Sequence, residues 1–110
     1  MISVKTNEFV AALKSLRMHQ KRRRRLNILI RQGNDAGEVI FELSGNSSYS
    51  GVLTKIYGDA DWLETILIPA GSLRGLTLQP PADQTLQISV IDGRFCVGTW
   101  SCPSTSVEVR

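Results

Sequence analysis

The amino-acid sequence predicts an α+β fold: a duplicated β-α-β-β-β pattern with two short helices packed on antiparallel sheets. Three observations point to it. Apolar and polar residues alternate along most of the chain, the signature of half-buried strands. The period lengthens to that of a helix in two places, around Phe9 and around Leu73. The order of these segments then repeats after about 55 residues, too few copies for a solenoid. The chain has 110 residues, 42% hydrophobic and 21% charged, an ordinary balance for one globular domain around one core. Residues 1–110 therefore read as a single domain, with halves of about 1–59 and 60–110 meeting near "GDADW", Gly58 to Trp62.

Each element has its own warrant. Ile2 and Val4 mark the first strand. In "TNEFVAALKSLR", Phe9, Leu13 and Leu16 fall at i, i+4 and i+7, an amphipathic helix with Thr6 or Asn7 as N-cap and Glu8 in the first turn. Strands follow at Leu26, Ile28 and Ile30, at Val39, Phe41 and Leu43, and from about Tyr49 to Tyr57, separated by the turn-forming "GNDAG" and "GNSS". The second half opens with a strand at Ile66 and Ile68 and a short helical turn carrying Leu73, Leu76 and Leu78, closed by Pro80 and Pro81. Leu86, Ile88 and Val90 lead through "IDGR" to Phe95, Val97 and Thr99, with Asp92-Gly93 the strongest hairpin signal in the chain. On this reading Trp100 lies on the face opposite Phe95 and Val97, with Cys96, and a last strand falls near Val107 and Val109.

Several chemistries find little support. Cys96 and Cys102 read as free thiols rather than a short bridge, since no secretory signal precedes them. His19 is the single histidine and no C-x-x-C pair exists, so a structural zinc lacks ligands. Asp59, Asp61 and Glu64 flank Trp62; a polar linker between halves is the plainer reading than a metal site. No nucleophile-and-base motif or phosphate-binding loop occurs, so the expectation is a non-enzyme without cofactor. No basic and apolar leader opens the sequence and no apolar run approaches about 18 residues, so a cytoplasmic protein without a membrane span is expected.

Charge is the informative feature. Residues 1–31 carry nine cations and one acid, residues 32–110 four cations and nine acids, a split of +8 against −5 within the net +3. The cations Lys14, Arg17, Lys21 and then Arg24 or Arg25 recur at helical spacing, opposite Phe9, Leu13 and Leu16, and end in the run Lys21, Arg22, Arg23, Arg24, Arg25. Such a stripe points to phosphate neutralisation without base reading. The plain alternatives are a solvated loop between helix and strand, or an acidic protein partner. Trp62, Trp100, Tyr49 and Tyr57 are distant in sequence from the cations, which favours duplex backbone over stacked single strands. Arg74, on the second helix, appears in the pattern at the position matching Lys14.

The opening "ISVKTNEFVAALKSL", the segment "EVIFELSGN" and above all "ILIPAGSLRGLTLQPPADQTLQISVIDGRFCVGTW" resemble one domain of the DNA sliding clamps, the polymerase processivity factors, closest to a domain of the bacterial β clamp. The resemblance covers essentially the whole chain. It implies sheets outside and two helices on one side, turned toward duplex DNA in a ring of six such domains. A one-domain chain would then act as a homo-oligomer assembled through edge strands. The expected function is sequence-independent duplex DNA binding as a processivity or accessory factor, through Lys14, Arg17, Lys21 to Arg25 and Arg74. The alternative is an oligomerisation or protein-interaction module that keeps this fold without binding DNA.

Overall fold

The computed structural model describes residues 1–18, 27–44 and 53–107. In chain order the elements are β1 (Ile2–Lys5), α1 (Thr6–Met18), β2 (Asn27–Gln32), β3 (Glu38–Ser44), β4 (Leu53–Tyr57), β5 (Ile66–Pro69), a 3-10 turn (Ala70–Leu73) running into α2 (Arg74–Leu78), β6 (Thr85–Ile91), β7 (Arg94–Val97), β8 (Trp100–Pro103) and β9 (Thr105–Ser106). The class is the expected one, α+β with two short helices and antiparallel strands; the order reads β-α-β-β-β from β1 to β4 and β-α-β-β-β-β from β5 to β9.

The strands form two antiparallel sheets, β1-β6-β7-β8 and β4-β3-β2-β5-β9. Each sheet takes its strands from both parts of the chain, and the exchange is reciprocal. Ile2 faces Ile88 and Val4 faces Leu86 across β1 and β6; Ile66 faces Ile30 and Ile68 faces Ile28 across β5 and β2. In β1 and β5 the first and third residues are buried and the fourth exposed, and β2 and β6 both bury their second and fourth residues. Period-two burial follows from the pleat, which sends alternate side chains to opposite faces.

The outer edges of the exchanged strands are also covered in parallel fashion. After β4 the chain runs past β1, with a bridge from Gly58 to Val4, and the Asp59 amide donates to the Ser3 carbonyl at 3.1 Å. After β8, β9 pairs with β5, and the Val107 amide donates to Thr65 at 2.8 Å. Among the described residues β4 and the two-residue β9 end one sheet, and β8 and β1, the latter bridged at Gly58, end the other.

One apolar cluster joins both sheets and both helices. Phe9 and Phe41 meet edge to face with ring centroids 5.7 Å apart, which fastens α1 to its sheet. Trp62 meets Phe95 in the same way at 6.0 Å. Trp62 is buried, so the acidic segment around it is anchored at its centre rather than being a free linker. Asp59 accepts the Ser3 amide at 2.8 Å and Asp61 the Gly37 amide at 2.7 Å.

The C-terminal strands differ from the sequence expectation. Val97 and Trp100 face each other across β7 and β8, with Gly98 at φ +59°. Glycine with positive φ at the first central position fits a type II′ hairpin turn. The turn puts Trp100 on the same side as Val97, packed against the core, not on the opposite face with Cys96. Its consequence is that β8 and β9 occupy Trp100–Pro103 and Thr105–Ser106, while Val107 follows the last strand. Val109, with residues 108–110, lies outside the described residues, as do Leu26 and Tyr49.

Candidate nucleic-acid interface

α1 is held in place by its apolar face. Phe9, Ala12, Leu13 and Leu16 are all buried, so the complementary face must point outward, and Lys14 on it is exposed. Arg17 lies within α1, which places it in helical register with Lys14, three positions on. The run Lys21, Arg22, Arg23, Arg24, Arg25 falls outside the described residues, as does His19.

Arg74 is exposed at the first residue of α2, and α1 packs against α2. The structure therefore brings Lys14, Arg17 and Arg74 onto two adjacent helices. An ungapped alignment of the two halves, taken from their equivalent strand pairings, differs from the expected match of Arg74 with Lys14. The strand registers put Ile2 with Ile66 and Val4 with Ile68. Continued without a gap, they put Phe9 with Leu73, Val10 with Arg74, and Lys14 with Leu78. Phe9 and Leu73 are both buried, which agrees with that alignment.

The start of α1 is tied down from the far side of the chain. The Thr6 amide donates to the Gln84 carbonyl at 2.9 Å, and the Thr6 hydroxyl donates to the Asp83 carbonyl. The Asn7 side-chain oxygen accepts the Glu8 amide at 2.8 Å. Between α1 and this segment runs an open groove of about 780 Å³, with Lys5 and Lys14 on it, Val10, Ala11, Pro80 and Ala82 among its apolar lining, and Asp83 as its acid. Lys5 belongs to no cationic run, and the sequence pattern does not single it out. Its proximity to Lys14 depends on where β1 hands over to α1.

A second polar cluster sits at the β2–β3 hairpin. Glu38 is buried; its carboxylate accepts the Asn34 amide at 3.1 Å and the Tyr57 hydroxyl at 3.1 Å, with the Lys55 ammonium 3.8 Å away. Burial by itself pushes this carboxyl up, but the Asn34 amide, the Tyr57 hydroxyl and the Lys55 charge together outweigh it and hold the pKa below the ordinary value. The same hydrogen bond, with burial, pushes the Tyr57 phenol up. With its oxygens satisfied the carboxylate is a structural anchor. The period-two pattern alone did not distinguish it from a solvent-facing strand residue.

Cys96 and Cys102 are free thiols, Cys102 being buried and its pKa raised by that burial. Among the described residues no three His, Cys, Asp or Glu side chains are grouped to hold a metal ion. No helix among them is long and apolar enough to cross a membrane. No protein-family model, curated protein or solved structure matches the chain.

Proposed function

We propose that this protein binds duplex DNA through its phosphate backbone, without base specificity and without catalysis, as a clamp-like accessory or processivity factor working as a homo-oligomer. The observation that carries the reading is the exposed Lys14 on α1, with Arg17 in helical register and Arg74 on the adjacent α2. Lys21 to Arg25 follow four positions after Arg17 in the sequence and add five cations to those of α1, although they lie outside the described residues. The reciprocal strand exchange supports the clamp-like part of the reading, since it relates two β-α-β-β-β units with their helices in contact. The open edges β4 and β8 support assembly of copies head to tail, an arrangement that closes into a ring when the rotation per copy permits.

Fluorescence anisotropy with a labelled duplex is the direct test. The protein binds at low salt; Lys14→Ala and Arg74→Ala each weaken binding and lower the salt slope by about 1. Replacing Lys21 to Arg25 with serines removes most of the affinity. Absence of duplex binding at low salt, or binding indifferent to all three changes, overturns the proposal.

A second reading is favoured by a separate observation. Leu53 and Tyr57, on the open edge strand β4, are 43% and 49% exposed, as suits an edge that pairs with another chain. On that reading the protein is an interaction or oligomerisation module. Light scattering that shows oligomers at high salt, together with no retention of DNA, selects it.

A further inference from the structure

We infer that one strand of the bound duplex lies along the groove beside the first half of α1, with Lys5 as a phosphate contact; this rests on the duplex-binding reading above. Lys5 and Lys14 are both exposed and line the same groove. Lys5 ends β1 directly before α1, the helix that carries Lys14. Asn7, Ala11 and Lys14 fall at i, i+4 and i+7 on one helix face, and Arg17 continues that face three positions on. The groove and Lys14 therefore lie on one path along α1.

The groove suits a sugar-phosphate strand in other respects. Ala11, Pro80 and Ala82 give its wall small, uncharged surface. Asn7 uses its side-chain oxygen to accept the Glu8 amide, which leaves its amide N–H groups as donors, and Gln84 lies on the groove as well. Thr6 bonds to the backbone of both Asp83 and Gln84, so the two walls are fixed relative to each other before any ligand arrives. Asp83 is the acid of the groove, and its charge opposes a phosphate strand there. Binding along this path makes Lys5 and Asp83 act with opposite sign.

The experiment compares duplex affinity and its salt slope in the full chain for wild type, Lys5→Ala, Asp83→Asn and Arg94→Ala. Lys5→Ala weakens binding several-fold at low salt and lowers the slope by about 1. Asp83→Asn tightens binding, a gain that partial unfolding cannot produce. Arg94→Ala, which removes an exposed cation on β7 outside the groove, leaves both quantities unchanged. If wild type binds but Lys5→Ala and Asp83→Asn do not move in opposite directions, or Arg94→Ala weakens binding as much as Lys5→Ala, the groove is not the path and duplex binding stands without it. If wild type fails to bind at all, the underlying reading falls instead.

Discussion

Gly37 sits at φ +74°, and a Cβ built there meets the Gly58 carbonyl oxygen at 2.6 Å. The same residue donates its amide to Asp61 at 2.7 Å and accepts the Gly58 amide at 2.8 Å. A side chain would add both backbone strain and collision with a backbone atom. Gly37→Ala is expected to cost about 1–3 kcal/mol, read as a lowered urea midpoint with an unchanged m-value. Glu38 makes a pH-dependent contribution at the same scale. Its pKa is lower folded than unfolded, so the folded chain binds fewer protons there. The stabilisation is complete above the unfolded value, about 4.3, and disappears as pH falls through the folded one. Thermal melts between pH 7 and pH 2.5 are expected to show wild type losing stability in that window, and Glu38→Gln starting less stable with a flatter acid dependence.

At the scale of elements, the segment from Gly58 to Trp62 is a fastener between the sheets. It bonds to β1 through Asp59 and Ser3, to the β2–β3 hairpin through Asp61 and Gly37, and it buries Trp62 against Phe95. Asp61→Ala leaves the amide of the buried Gly37 without its acceptor, expected to cost about 1–3 kcal/mol in chemical denaturation. The sequence foresaw both helices and most strands because their apolar residues recur with period two or near 3.6, a signal that burial writes directly. Asp92-Gly93 was legible for a local reason: both residues take positive φ, at 52° and 74°, the geometry of a type I′ turn. Gly98-Thr99 carries a weaker signal, so the pattern extends the preceding strand through Thr99 and puts Trp100 on the face opposite the one it takes. Lys5 and the buried Glu38 were illegible for another reason. Their settings arise from segments far apart in sequence, Pro80 to Thr85 in one case and Tyr57 in the other.

Over the whole molecule, the reciprocal pairing of β1 with β6 and of β5 with β2 makes the two β-α-β-β-β units interdependent. Neither completes its sheet alone, and one core spans both. That arrangement brings α1 and α2 together, with Lys14 and Arg74 exposed on them, while Asp59, Asp61 and Glu38 are engaged in the hairpin and linker contacts. The central claim is that this layer binds duplex backbone by charge alone. The measurement that tests it most directly is the affinity for two duplexes of unrelated sequence, followed from 50 to 200 mM salt. With about five phosphates neutralised, both affinities should be equal and fall together by roughly two to three orders of magnitude. An affinity that differs strongly between the two sequences, or that holds constant across the salt range, contradicts the account.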